Sequence, residues 1–243
     1  MKTLLFLVIV LGSGFCAGLV HGLVNLLVIE PYLDTAIGIE NQNLFETGEA
    51  LDTPQFWEDF DAYRVWQKQG QILAGGILGL SIGALFGLVF AYSRHLLPSH
   101  NNIKKALVLA GIMWFTLYLI PFLKYPANPP TVGDPETVML RTILYVSLVA
   151  LSCLGALGFS RIYKKIKDPS KKFVIPIAYA IYISAIFVVM PENPDEVIAP
   201  VDLLNGFRIA SASTVTMFWI LNAVILGLLW QKFQPHVQKV EYS

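Results

Sequence analysis

Residues 3–29 read TLLFLVIVLGSGFCAGLVHGLVNLLVI, an apolar run without a charge between Lys2 and Glu30. An α-helix rises about 1.5 Å per residue and the hydrocarbon core of a bilayer is about 30 Å thick, so about 20 such residues cross it. Five further charge-free windows follow, at 69–93, 106–123, 142–160, 173–191 and 209–231. Each is long enough to span, the shortest with help from polar side chains reaching outward at its ends. The expected fold class is therefore all-α: a polytopic membrane protein with six transmembrane helices in a single integral membrane domain over residues 1–243.

Composition agrees. The chain is 55% hydrophobic and 14% charged with a mean hydropathy of +0.60, whereas soluble domains carry about 25% charged residues. Met1-Lys2 before an apolar run also resembles the start of a secretory signal, but a signal's apolar core is about 7 to 15 residues and ends at a small-residue cleavage site. This run continues to Val28, and a retained helix is expected. Phe15 before Cys16 does not suit a lipoprotein signal, and Cys153 also lies within a span, so neither cysteine suggests a disulfide or a thiolate metal motif.

The net charge of zero hides an asymmetry. With a cytoplasmic N-terminus, Lys2, Arg94, Lys104, Lys105, Arg161, Lys164, Lys165, Lys167, Lys171, Lys172, Lys232 and Lys239 lie inside, and only Arg64, Lys68, Lys124, Arg141 and Arg208 lie outside. Twelve against five predicts both termini in the cytoplasm of a cell-membrane protein. Asp168 and Glu241 are the only acids then inside.

Two glycine stripes mark how the first spans associate. Gly14, Gly18 and Gly22 recur every fourth residue, as do Gly75, Gly79, Gly83 and Gly87. Lipid tails give no hydrophobic reward for helix association, so small residues that let backbones approach supply the attraction. A packing interface, within the chain or with a partner, is the first reading and a substrate path the second. A repeat also runs through the later spans. Lys104-Lys105, a span, Pro126-Ala-Asn-Pro129, a loop, Arg141 and a span are matched in order by Lys171-Lys172, a span, Pro191-Glu-Asn-Pro194, a loop, Arg208 and a span. Tandem helical hairpins in the same sense would have this order, and so would membrane topology acting on unrelated segments.

The outer segment from Pro31 to Lys68 is acidic, with Asp34, Glu40, Glu46, Glu49, Asp52, Glu58, Asp59 and Asp61. Thr53-Pro54 predicts a capped helix start, and Phe56, Trp57, Phe60, Tyr63 and Trp66 then suit a helix lying in the membrane interface. Its carboxylates are either solvated surface or a collector of hard divalent cations.

Polar groups at membrane depth are few. His21 and Asn25 share a helix face and Glu30 follows; buried polar groups in hydrocarbon cost several kcal/mol unless satisfied, and ionisable ones often mark ion paths. A metal or ion path through His21, Asn25 and Glu30 is one reading, and a histidine bonded to a neighbouring helix is the other. His95, His100 and His236 fall in basic segments and are expected in solvent. The outer mouth of one hairpin holds Lys124, Tyr125, Pro126, Pro129 and Arg141, and that of the other holds Pro191, Pro194, Asp202 and Arg208. There proline stiffens the exits, and each arginine at a helix start needs an anionic partner, drawn from Asp134, Glu136 or Asp202.

Phe122-Leu-Lys-Tyr-Pro-Ala-Asn-Pro-Pro130 followed by Val132-Gly133 and Arg141, the Glu30-Pro31 that ends a glycine-rich first span, and Phe207-Arg208 with Ser211 and Trp219 in the last resemble the CbtA family of predicted cobalt transporter membrane subunits. The resemblance implies uptake of cobalt ion as substrate, serving cobalamin synthesis, beside CbtB, a small single-span subunit bearing histidines. The acidic insertion between Glu40 and Arg64 departs from the short family pattern. No Walker A, G-x-S-x-G or H-E-x-x-H sequence is present, no permanently bound cofactor is indicated, and nothing points to nucleic acid. Catalysis is not expected. The alternative function is a structural or assembly subunit that docks partner helices and carries no ion.

The charge asymmetry makes a direct prediction. In a cysteine-free background, a cysteine at Asn43 should react with an impermeant thiol reagent only from outside, and one at Lys167 only from the cytoplasm. The reverse pattern inverts the topology.

Overall fold

The computed structural model describes residues 3–130, 132–195 and 199–235, and among them there is helix and no strand. Lys2, His236, Lys239 and Glu241 of the charge reading lie outside the described residues. The helices are α1 (Thr3–Val28), α2 (Glu30–Thr47), α3 (Pro54–Ser93), α4 (Asn102–Trp114), α5 (Ile120–Lys124), α6 (Val138–Lys165), α7 (Val174–Val189) and α8 (Val201–Phe233), with a π-helical turn at Phe115–Leu119 joining α4 to α5. Among the described residues, six segments are long and apolar enough to cross a membrane: Thr3–Val28, Pro54–Ser93, Asn102–Lys124, Pro135–Lys165, Pro169–Val189 and Val201–Phe233.

The chain forms two compact units. The first combines residues up to Gly111 with Pro129–Thr131 and the segment from Pro200 onward; the second combines Ile112–Asn128 with Val132–Ala199.

In the first unit α1 is central and presents two adjacent stripes. Its glycine stripe meets that of α3 with backbone on backbone. A Cβ added to Gly14 would overlap the Gly79 carbonyl and sit 2.7 Å from Gly83 Cα, and one on Gly18 would overlap the Gly75 carbonyl and sit 2.8 Å from Gly79 Cα. Such proximity brings Cα–H groups against carbonyl oxygens and maximises dispersion where lipid offers nothing in exchange. The neighbouring stripe, Phe6, Ser13, Ala17 and His21, is buried at a spacing of four to seven residues. Its ends touch α8, with Phe6 edge-on to Trp230 at 5.9 Å and His21 against Phe218 at 5.6 Å. Thus α8 runs antiparallel to α1. It runs parallel to α3, since Phe86 meets Trp219 and Phe90 meets Trp230.

The acidic segment 30–68 differs from the expected loop. Ile29 interrupts α1 only briefly before α2 starts at Glu30 with Pro31 in its first turn, and α2 ends at Gly48, whose φ of +77° is a left-handed cap. Thr53 accepts a hydrogen bond from the Phe56 N–H at 3.2 Å, with Pro54 next. From there α3 continues for 40 residues without a break, about 60 Å at about 1.5 Å per residue. Its first part is therefore the outward extension of a span and not a separate helix lying in the interface. It pairs with α2 as a helical hairpin, closed near the tip by Phe45 against Phe56 and Trp57 at 5.0 and 5.8 Å.

In the second unit Pro121 shapes the π-helical turn. The Ile120 N–H bonds to Phe115 O, five residues back, and Pro121 has no N–H to offer; widening the turn accommodates a proline ring that would otherwise strike the carbonyl four residues before it. α7 carries no such turn, which distinguishes the two hairpins of the sequence repeat. Between α6 and α7, Tyr179 OH donates to the Ser152 carbonyl at 3.1 Å and accepts from its hydroxyl at 2.9 Å, while Ile120, Leu148 and Ile183 form a core cluster.

Glycine geometry separates two classes of substitution. Gly18→Leu or Gly79→Leu should lower folded yield in the membrane by the equivalent of about 3 kcal/mol or more, since backbone cannot move aside as a side chain can. Gly12→Ala and Gly158→Ala, which meet nothing within 4 Å, should leave yield unchanged. Equal yields across the four variants, measured by fluorescence-detected size exclusion, would refute the backbone contact.

Candidate functional site

His21 and Asn25 lie one helical turn apart on α1, as their spacing dictates. The His21 side chain, in a residue only 8% exposed, takes the Asn25 amide nitrogen at Nε2 across 3.2 Å. The ring lies beside the backbone of Thr214 on α8, and its Nδ1 has no well-formed hydrogen bond. Asn25 Oδ1 is likewise shielded from solvent and has no protein partner. The same heavy-atom positions accommodate the turned-over amide, in which Oδ1 accepts from Nε2–H and the Nδ1 lone pair is left free. That second arrangement is the state in which a neutral imidazole ligates a metal while its other nitrogen is held by a neighbour.

Glu30 sits at the outer end of this stripe, but not as an open carboxylate. Arg64 of α3 donates to it directly, and the two residues are 6% and 8% exposed. The same guanidinium reaches Asp34 at 2.8 Å and Gln67 at 2.7 Å, and Lys68 Nζ is 2.9 Å from Asp34 and 4.0 Å from Glu30. Glu30 and Asp34 are one turn apart on α2, Arg64 and Lys68 one turn apart on α3, and the four charges balance. Burial by itself raises the Asp34 pKa, and the hydrogen bonds and positive charges of Arg64 and Lys68 overcome it, holding the carboxyl below its ordinary 3.8. The role of Arg64 escaped the sequence reading, although its position after an acidic run and before the second apolar window was the available signal.

The outer-mouth residues divide between the two units. In the second, Arg141 Nε lies 2.9 Å from a carboxylate oxygen of Asp195, not of Asp134 or Glu136, and Arg141 Nη2 donates to the Asp134 carbonyl at 3.1 Å. Asp195 also accepts from Thr137 Oγ1. Gly133, at a φ of +111°, passes so close that a Cβ would overlap Asp195, so glycine is required there both for its conformation and for space. Tyr125 OH donates to the Pro191 carbonyl at 2.6 Å, joining the two proline-rich exits, and Lys124 Nζ lies 6.0 Å from the Tyr125 ring. Burial pushes the Tyr125 hydroxyl above its usual pKa. Pro129 in the first unit is fully buried. Asp202 is exposed and Arg208 half-buried in the first turns of α8. Pro126 is half-buried.

Among the described residues no three His, Cys, Asp or Glu side chains converge as a metal cage. His95 and His100 are exposed. An ion at His21 would complete its shell with amide, carbonyl and water oxygens, an arrangement weak enough to release what it binds.

The family model for CbtA, described as a probable cobalt transporter subunit, matches residues 3–231. The chain belongs to the CbtA family. No curated protein and no solved structure matches it. As a CbtA protein it is a multi-pass membrane subunit of a transporter, and both halves of the charge cluster, the glycine stripes and the proline-rich exits fall within the matched region.

The charge cluster yields a graded expectation. Arg64→Gln leaves the buried Glu30 without its guanidinium and should cost about 3 to 5 kcal/mol, most of it recovered in the Glu30→Gln/Arg64→Gln pair. Asp34, with a side chain 49% exposed, contributes less than about 1 kcal/mol after solvent screening. Because its folded pKa is depressed, that contribution is present above the ordinary carboxylate range and lost as pH falls through the folded value. The thermal stability of wild type and Asp34→Asn should therefore converge on acidification; a gap that widens at low pH contradicts the assignment.

Proposed function

We propose that this CbtA subunit carries divalent cobalt through the α1–α3–α8 unit, with His21, Asn25 and Glu30 along the path and both termini cytoplasmic. The observation that carries the reading is His21: an imidazole inside a span, buried by its own protein, turned toward α8 and held by Asn25. Burying such a group in a bilayer costs free energy that packing alone does not require. Cobalt is a borderline ion that accepts imidazole and oxygen donors, so one histidine with amide and water oxygens suits passage better than storage.

The Glu30–Arg64 pair has a corresponding role at the outer end. While Arg64 neutralises Glu30, the carboxylate attracts no external cation; an arriving divalent ion competes with the guanidinium for the same oxygens. The pair thus acts as a charge-compensated entry that opens when the ion supplies the positive charge in place of Arg64. Within the second unit, Tyr125–Pro191 and Arg141–Asp195 tie the proline-rich exits to one another. A small single-span subunit bearing histidines fits as partner because, among the described residues, this chain contributes one buried histidine and no three-ligand cage. The subunit's work is passage and not catalysis.

The test is cobalt accumulation in cells lacking other uptake routes, with and without the histidine-bearing partner. His21→Ala should cut accumulation per folded molecule by about 10-fold or more, on the scale of losing a ligand's support in a metal site, with little change in membrane-inserted protein. Loss of folded protein in step with uptake would identify a structural histidine, and unchanged uptake would favour the assembly subunit that carries no ion.

A further inference from the structure

One buried polar group has no part in the path described so far. Asn222 lies two residues from the centre of the last apolar window, 209–231, and is 0% exposed. Neither Nδ2 nor Oδ1 has a hydrogen-bond partner in the protein. An amide left dry in hydrocarbon costs several kcal/mol, and Leu would fill the volume without that cost. Interhelical bonding does not account for it, since no neighbouring helix bonds it; a partner subunit does not either, since the side chain is already covered by its own chain.

Its place in the register is informative. The pairs Phe6–Trp230 and His21–Phe218 put Asn222 level with the middle of α1, between Ser13 and Ala17. Ser13 is fully buried there, its hydroxyl donating to Val10 O at 2.9 Å, which leaves it only lone pairs to offer. From Thr214, whose backbone faces His21, to Asn222 is eight residues along α8, about 12 Å at about 1.5 Å per residue.

We infer that Asn222 is the mid-membrane station of the cation path inward of His21, its amide oxygen replacing one water of a divalent ion's shell while its amide nitrogen donates to another. This rests on the transport reading above and fixes its course: inward between α1 and α8. Amide oxygens serve hard and borderline divalent ions alike, and both ends of the amide are then satisfied by the hydrated ion, or by water when no ion is present.

The experiment uses the full chain in membranes, with Cys16 and Cys153 replaced by Ala. Cysteines are introduced at Asn222, Ala223 and Leu226, three fully buried positions on α8, and exposed to a small cationic thiol reagent. Asn222→Cys should be modified and the other two not, and cobalt chloride should slow the modification several-fold. In parallel, Asn222→Leu should reduce cobalt accumulation about tenfold or more per folded molecule, the scale for losing one supporting polar contact to a metal, with folded protein unchanged or increased. If Asn222→Cys is as inert as its neighbours, or is modified at a rate cobalt does not alter, the inference is overturned. Normal uptake in Asn222→Leu alongside a defect in His21→Ala would also overturn it while leaving the outer site standing. No accumulation by the wild-type chain with its partner would instead remove the transport reading itself.

Discussion

The contact of α1 with α3, backbone against backbone at Gly14, Gly18, Gly75, Gly79 and Gly83, is the constraint from which the first unit follows. In water two such helices would be driven together by their apolar side chains; in lipid that drive vanishes and only close van der Waals approach remains. By committing one face of α1 to α3, the glycines leave the adjacent face, with Phe6, Ser13, Ala17 and His21, to α8. The same approach brings Arg64 and Lys68, near the outer end of the α3 span, opposite Glu30 and Asp34 at the start of α2. A histidine one residue from Gly22 is thus turned toward α8 by the packing of bare glycine backbone on the adjacent face.

The second unit is held differently. Tyrosine hydroxyls bridge α6 and α7 where α1 and α3 use bare backbone, and its outer ends are joined by an ion pair and a tyrosine-to-carbonyl bond. Hydroxyl bridges are directional and tolerate larger helix separations, whereas glycine contacts are lost as soon as the backbones part. The π-helical turn adds to the contrast. With the Ile120 N–H taken by Phe115 and no N–H on Pro121, the Thr116 carbonyl lacks both its α- and π-helical donors, so this span is weakest in hydrogen bonding at its buried middle.

Hydropathy made the six spans legible because a bilayer imposes one length on each crossing and charges report where the crossings end. Where neither condition holds, the reading lost resolution. Residues 30–68 look like a loop to hydropathy, yet Pro31 in a first turn, Gly48 at a left-handed cap and Thr53-Pro54 at the next start are all written there. They outline two helices once charge is set aside. The partner of Arg141 could not be read locally, because Asp195 is 54 residues away and two nearer acids, Asp134 and Glu136, compete for the role. His21 stood out as the one histidine within the six charge-free windows. Asn222, uncharged inside an apolar run, carried a fainter signal, and only its complete burial without a partner sets it apart.

The hairpin of α2 and the outward part of α3 has an electrostatic consequence. Arg64 lies ten residues into α3, so the acids around the tip, Glu46, Glu49 and Asp52, stand about 15 Å beyond the Glu30 cluster at about 1.5 Å per residue. In physiological salt the Debye length is about 8 Å, and exposed charges two such lengths apart are nearly independent. The negative surface of the tip and the neutralised quartet at the membrane therefore form two separate electrical neighbourhoods. Salt can reset the first while the buried Glu30–Arg64 pair at the heart of the second keeps its potential.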